Sequence, residues 1–133
     1  MEIPNEMITT LVKKASEVSK EAGCHISSYR VGAAILGESG NIYTGCNIEF
    51  DNFTNTIHAE ESAISAFVTA GEKKPLAIAV FTWGDDVEFP CGMCRQSLYE
   101  IGGNELEVIA CNDDKIVKKT MAELLPNGFR LKR

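Results

Sequence analysis

Apolar side chains recur at helical spacing in two long segments of the chain. Residues three and four positions apart lie on one face of a helix, so each segment predicts a helix with one buried face. Gly23 and Gly71 follow these segments, in the position where glycine commonly ends a helix. Pro90 leads into a third predicted helix, and Thr120 with Glu123 predicts a capping box at the start of a fourth. The predicted helices are 5–22, 58–70, 91–101 and 120–125.

Four other runs have the composition of β-strands. Two of them are separated by Gly37-Glu38-Ser39-Gly40, whose residues are typical of hairpin turns. The other two are continuously apolar, as is typical of strands covered on both faces. The predicted strands are 29–36, 41–47, 76–82 and 106–111, and 51–55 is predicted to be a loop. The order α-β-β-α-β-α-β-α predicts one domain, residues 1–133, with a mixed sheet and helices on both faces.

The composition is that of an ordinary globular chain, with 44% hydrophobic and 24% charged residues. The net charge of −6 repels phosphate groups, so a nucleic acid partner is not expected. No apolar stretch approaches the roughly 20 residues that span a bilayer, and the N-terminus lacks the pattern of a signal peptide. We therefore expect a cytoplasmic protein without membrane contact. Disulfides are rare in that compartment, so a metal or catalytic role for some of the five cysteines gains weight.

Two short motifs at predicted helix starts carry the candidate chemistry. Cys91 and Cys94 follow Pro90, and residues three apart on a helix are neighbours, so both sulfurs can face one ion. The helix N-terminus favours the thiolate, which is the form that binds metal. A lone C-x-x-C is also compatible with half of a structural zinc site or with a redox pair. His58 brings the number of ligands to three, which is typical of a catalytic zinc that keeps a fourth position open.

Glu60 lies two positions after His58. Residues two apart do not share a helix face, so both reach one site only if His58 is at the very start of the helix. A carboxylate there could accept a proton from water and pass it on. The alternative for an isolated Glu is a first-turn residue that the helix dipole stabilises. Together, H-x-E and P-C-x-x-C form the signature of zinc-dependent nucleobase deaminases, which favours the catalytic interpretation.

The sequence resembles the small cytidine deaminases over nearly its whole length. Besides the zinc motifs, the segments that carry the resemblance are Tyr29-Arg30-Val31-Gly32-Ala33-Ala34, Gly45-Cys46-Asn47-Ile48-Glu49, Cys94-Arg95-Gln96, and Leu124-Leu125-Pro126 with Phe129. The resemblance implies a three-layer α/β/α sandwich with a mixed five-stranded sheet. It also implies a Zn²⁺ cofactor and the hydrolytic deamination of cytidine or 2′-deoxycytidine in pyrimidine salvage. The implied assembly is a homo-oligomer, with a tetramer favoured and a dimer as the alternative.

The resemblance implies roles for five further residues. Asn47 and Glu49 would hydrogen-bond the ribose of the nucleoside, chiefly through its 3′-hydroxyl. Tyr29 would pack beside the ribose, and the backbone of Ala59 would help to hold the base. Phe129 would stack on a base in a neighbouring subunit. Core packing is the alternative interpretation for the two aromatic residues, and a turn at the end of a strand is the alternative for Asn47 and Glu49.

Three features depart from the small form of the family. His58 stands where that form often has a cysteine ligand, and Glu61 stands where it often has arginine. Three thiolates would leave a zinc site with a net negative charge that arginine relieves, whereas one His and two thiolates leave it neutral. The segment His25-Ile26-Ser27-Ser28 lacks the aromatic and proline residues that are common there. Arg95 is expected to place positive charge near the thiolates and to tune the zinc indirectly, with an ordinary surface position as the alternative.

Two other functions stay open at this point. Deamination of another cytosine compound, such as blasticidin S, would use the same zinc motifs. A non-catalytic zinc- or nucleoside-binding module would need no proton shuttle, so Glu60 argues against it. A deoxycytidylate substrate would need a phosphate pocket, and the sequence has no basic or glycine-rich cluster to form one. The sequence does not decide between ribose and deoxyribose.

Overall fold

The structure, a computed structural model, describes residues 2–132. Within that range it contains four α-helices and five β-strands, and a 3₁₀ turn, Phe53–Asn55, lies in the predicted loop. The elements are α1 (Asn5–Ser19), β1 (Val31–Gly37), β2 (Ile42–Cys46), α2 (Ala59–Thr69), β3 (Pro75–Thr82), α3 (Gly92–Gly102), β4 (Glu107–Cys111), β5 (Ile116–Thr120) and α4 (Met121–Leu124). No helix in the described range is long and apolar enough to cross a membrane.

The strands form one sheet in the order β2-β1-β3-β4-β5. β3 and β4 are parallel, and each of the other neighbouring pairs is antiparallel. Since α3 lies between β3 and β4 in the chain, it provides the crossover connection that a parallel pair needs. The prediction of a mixed five-stranded sheet is therefore confirmed.

Alternate residues of the central strands face opposite sides of the sheet and build two separate cores. On β1, Ala33 and Ile35 belong to the core beneath α2, α3 and α4, whereas Ala34 and Leu36 belong to the core beneath α1. Burial on both faces explains why the central strands are continuously apolar in sequence. Because helices cover both faces of the sheet, the predicted three-layer α/β/α sandwich is confirmed.

The hydrophobic pattern does not predict β5. Four of its five residues are exposed, and its sequence Ile-Val-Lys-Lys-Thr neither alternates nor forms an apolar run. The strand pairs with β4 at the edge of the sheet. Lys118 and Lys119 on such an edge discourage pairing with another chain. The same two residues interrupt the β-strand pattern in the sequence, which is why the strand was not predicted.

The first helix ends at Ser19, three residues before its predicted end. Beyond that point the backbone N–H groups of Glu21 and Ala22 bond to carbonyls three residues earlier. Such bonds tighten the last turn and satisfy carbonyls that a helix end leaves free. Ala22 is still buried, which explains why the apolar spacing continues past the α-helix.

The start of α2 is held against β2 by a close approach at Gly45. A Cβ atom at this position would lie 2.4 Å from the backbone nitrogen of Ala63 and 2.7 Å from the Cβ atom of Ser62. A residue without a Cβ atom is therefore needed for the two backbones to lie this near each other. This contact fixes the helix whose first turn carries part of the candidate site.

Candidate active site

Two of the predicted zinc ligands are N-cap residues of helices. His58 precedes α2 with φ −76° and ψ 151°, and Cys91 precedes α3 with φ −66° and ψ 171°. An N-cap side chain usually accepts a hydrogen bond from its own helix, but neither of these side chains does so. Both are therefore free to turn towards a common point. The structure also places His58 at the very start of its helix, which is the condition for Glu60 to reach the same site.

The side chains of His58, Cys91 and Cys94 converge, with ligand atoms that all lie within 4.8 Å of one another. Nδ1 of His58 is 3.4 Å from Sγ of Cys91 and 3.3 Å from Sγ of Cys94. Tetrahedral coordination at the usual zinc–nitrogen and zinc–sulfur distances would separate such atoms by about 3.5 Å. The donor types and their spacing therefore fit a zinc ion bound by one nitrogen and two sulfurs.

The surroundings of Cys94 explain why its sulfur needs a neighbouring positive charge in order to ionise. Burial raises the pKa of the Cys94 thiol, and the charges of Glu60 and Cys91 raise it further. A thiol in this position is protonated unless positive charge is brought beside it. A bound divalent cation stabilises the thiolate, and the N-terminus of α3 contributes in the same direction.

Glu60 lies in the first turn of α2 and is only 6% exposed. Burial raises the pKa of its carboxyl group, while its own backbone N–H and the nearby His58 lower it. A buried carboxyl group whose pKa is raised is better suited to accept a proton and to release it again than an ordinary surface carboxylate. The side chain lines the same cavity as His58 and Cys91.

A cavity of about 350 Å³ opens beside the ligand group. Its volume is within the range of sites for small organic ligands. Four of the residues that were predicted to contact a substrate line it, namely Tyr29, Asn47, Glu49 and Ala59. The cavity therefore brings the candidate acid–base, two metal ligands and these four residues to one place.

Asn47 and Glu49 are both engaged with neighbouring backbone. The amide of Asn47 donates to the carbonyl of Tyr29 at 2.8 Å and accepts from the N–H of Val31 at 2.9 Å. Glu49 accepts hydrogen bonds from the loop 26–27, and these bonds lower the pKa of its carboxyl group. Both residues thus hold the segment that leads into β1 while they line the cavity.

Phe129 and Arg95 lie outside the residues that line the cavity. Phe129 is 66% exposed, and its carbonyl accepts a hydrogen bond from Gln96 of α3. Arg95 donates to the carbonyl of Pro90 at 2.6 Å and to that of Leu124 at 2.9 Å. Arg95 is therefore partly buried rather than an ordinary surface residue, and it fixes the turn that precedes Cys91.

Several residues that line the cavity were not predicted from the sequence. They are Val31, Thr56, Val80, Thr82, Glu88 and Phe89. Phe89 and Glu88 directly precede Pro90, so their position next to the metal motif was an available signal. Val80 and Thr82 are alternate residues of β3, and nothing in the local pattern distinguishes them from core positions. Glu61 is not among the lining residues.

Comparison with known proteins places this site in a family. Residues 5–110 match the family model described as the cytidine and deoxycytidylate deaminase zinc-binding region. A cytidine deaminase of Mycobacterium tuberculosis is 37% identical over 112 residues, which are 83% of this chain and 81% of the relative. A cytidine deaminase of Sporosarcina psychrophila is 34% identical over 123 residues, which are 92% of this chain and 90% of the relative. With the His-Cys-Cys group, the match confirms the predicted zinc cofactor.

Solved structures show the same fold. The crystal structure of the cytidine deaminase from Burkholderia pseudomallei superposes with a TM-score of 0.88 at 29% identity, covering 96% of this chain and all of that one. The cytidine deaminase from Mycobacterium tuberculosis superposes with a TM-score of 0.82 at 33% identity, covering 93% of this chain and 98% of that one. The chain therefore belongs to the cytidine and deoxycytidylate deaminase family.

Proposed function

We propose that the protein hydrolyses cytidine, 2′-deoxycytidine or both to the corresponding uracil nucleoside and ammonia. The observation that carries the proposal is the buried carboxyl group of Glu60, which lines one cavity together with His58 and Cys91. The relatives named cytidine deaminase support the same reaction. Conversion of cytosine to uracil nucleosides is a reaction of pyrimidine salvage.

His58, Cys91 and Cys94 are the residues that would hold the zinc ion. Bound zinc supplies Lewis-acid chemistry that lowers the pKa of water towards neutrality and so provides a nucleophile. Arg95 supports this centre from outside, because its hydrogen bond to the carbonyl of Pro90 fixes the turn before the first sulfur ligand.

Glu60 carries the protons of the reaction. Its carboxylate accepts a proton from the attacking water and delivers it to N3 of the cytosine ring. After oxygen has bonded to C4, Glu60 takes the remaining proton of that oxygen and gives it to the departing amino group. The C4–N4 bond breaks, a carbonyl group forms at C4, and ammonia leaves. Glu60 ends the cycle ionised, as it began.

The remaining candidate residues position the nucleoside. Asn47 and Glu49 would bind the sugar, Tyr29 would pack beside it, and the backbone of Ala59 would hold the base. Phe129 is exposed and outside the cavity of its own chain, so we assign it to the base bound by another copy. This assignment requires a homo-oligomer, for which we favour a tetramer over a dimer.

The proposal is tested with purified, zinc-loaded protein and cytidine or 2′-deoxycytidine as substrate. Ammonia release and the ultraviolet change from cytosine to uracil report turnover. Glu60→Ala is expected to lower kcat by about 10³-fold or more while the zinc content stays stoichiometric, because only the proton shuttle is lost. Glu61→Ala is the matched control, since it removes the neighbouring carboxylate, which does not line the cavity. An active Glu60→Ala variant would show that the acid–base assignment is wrong.

The same assay separates the competing functions. Blasticidin S and deoxycytidylate are tested in parallel with the two nucleosides. Turnover of blasticidin S without turnover of the nucleosides would retain the zinc chemistry and overturn the sugar-binding roles of Asn47 and Glu49. Turnover of deoxycytidylate alone would retain both and overturn the choice of a nucleoside over a nucleotide. Binding of cytidine by the wild-type protein without any turnover would indicate a binding module instead.

A further inference from the structure

One hydroxyl group in the loop that precedes β1 makes hydrogen bonds to two residues that line the cavity. Oγ of Ser27 donates a hydrogen bond to Oε2 of Glu49 and accepts one from the backbone N–H of Tyr29 at 3.0 Å. Glu49 and Tyr29 both line the cavity, whereas Ser27 is not among the lining residues. Ser27 therefore connects two lining residues without itself lining the cavity.

The hydrogen bonds of Glu49 leave little of its carboxylate free. Oε1 accepts from the N–H groups of Ile26 and Ser27, both at 2.9 Å, and Oε2 accepts from the Ser27 hydroxyl. An ionised carboxylate offers about four acceptor positions. Three are used within the chain, so one position on Oε2 remains for a ligand.

The loop that makes these contacts is defined by its own backbone. Ser28 has a φ of 58°, in the left-handed region, and its N–H donates to the carbonyl of Cys24 at 2.8 Å. A non-glycine residue in that region persists where its surroundings determine it. The hydrogen bonds to Glu49 are such surroundings, and the carbonyl of Tyr29 is held in turn by Asn47.

From this geometry we infer that Ser27 is a positioning residue, which orients Glu49 so that its carboxylate accepts one hydrogen bond from a hydroxyl group of the sugar. The inference rests on the proposed function, because it concerns how the nucleoside is held. Without the Ser27 hydroxyl, Oε2 loses its partner inside the chain, and the direction of this oxygen is fixed only by the two hydrogen bonds to Oε1. Binding of the sugar then weakens, while the proton transfers at Glu60 are unchanged.

Kinetics with sugar analogues test this role. Ser27→Ala is expected to raise the KM for cytidine about tenfold and to change kcat less than about threefold, since one hydrogen bond to a charged group is lost. 3′-Deoxycytidine lacks the hydroxyl group that is proposed to donate a hydrogen bond to Glu49. With this substrate the KM values of Ser27→Ala and the wild-type protein should agree within about twofold. Ser27→Thr keeps the hydroxyl group and is expected to restore most of the affinity for cytidine.

Ser39→Ala provides a matched control at a distant hairpin. The hydroxyl of Ser39 also donates to a carboxylate, that of Glu72, and accepts from the N–H two residues later at 3.1 Å. This variant should keep the wild-type KM for cytidine. Equal loss on cytidine and 3′-deoxycytidine, or a wild-type KM in Ser27→Ala, would overturn the positioning role while the proposed reaction stands. Absence of turnover in the wild-type protein would instead overturn the proposed function.

Discussion

Gly45→Ala should lower kcat although Gly45 does not line the cavity. The new Cβ atom would lie 2.4 Å from the backbone nitrogen of Ala63, whereas ordinary contact begins at 3.4 Å, so the start of α2 must move by about 1 Å. Glu60 is carried on the first turn of that helix. A displacement of this size in a catalytic group can reduce the rate by about 100-fold. Overpacking typically destabilises a fold by about 1–3 kcal/mol, which corresponds to a Tm lower by roughly 5–10 °C in a chain of this length.

The assay combines kcat for cytidine with thermal unfolding followed by circular dichroism. Gly84→Ala is the matched control, because it adds the same methyl group where nothing lies within 4 Å. The control should keep the wild-type kcat and Tm. If Gly45→Ala also kept both, the close approach of β2 and α2 would not position the site, and the reasoning would be refuted.

Two further predictions concern charged groups. Hydrogen bonds from Ser39 and Tyr43 lower the pKa of Glu72 in the folded state, so this carboxylate stabilises the fold above its unfolded pKa and loses that contribution as pH falls. Between about pH 6 and pH 3, the Tm of Glu72→Gln should therefore fall less than that of the wild-type protein; an equal fall would contradict the linkage. Glu49, Glu60 and Glu88 line the cavity, and no Lys or Arg is among its described lining residues. These carboxylates repel the phosphate group of a nucleotide, so the kcat/KM for deoxycytidylate should be roughly 100-fold below that for deoxycytidine. Added salt or Glu88→Gln weakens the repulsion and should reduce this difference between the two kcat/KM values. Asp85→Asn, on the same loop but not lining the cavity, should leave the difference in kcat/KM unchanged. Equal kcat/KM values of the wild-type protein for deoxycytidylate and deoxycytidine would contradict the electrostatic argument.

The sequence predicted the parts of the fold that burial determines. Central strands covered on both faces are continuously apolar, and helices with one buried face show their spacing directly. The capping box of Thr120 and Glu123 is confirmed, since it depends on local backbone alone. β5 was not predicted because most of its side chains face solvent, so its sequence lacks the apolar run of a core strand.

The candidate site likewise had a part that the sequence predicted and a part that it did not. The H-x-E and P-C-x-x-C motifs predicted a shared zinc centre because ligand spacing and helix starts are local properties. The contribution of Val80 and Thr82 to the cavity could not be predicted, since it depends on where β3 lies relative to the site. The hydrogen bonds of Glu49 to residues 26 and 27 were equally hidden, because they join segments more than 20 residues apart.

The sheet divides the interior into two cores, and this division determines which substitutions lie near the proposed site. None of the residues proposed to bind zinc or substrate belongs to the core beneath α1. Substitutions at Leu11, Ala79 or Ile109 would alter the free energy of unfolding in a core that contains none of the proposed zinc- or substrate-binding residues. Stabilising changes in the laboratory are thus best sought in the α1 layer, because the core of the opposite layer includes Ala59 of the proposed site.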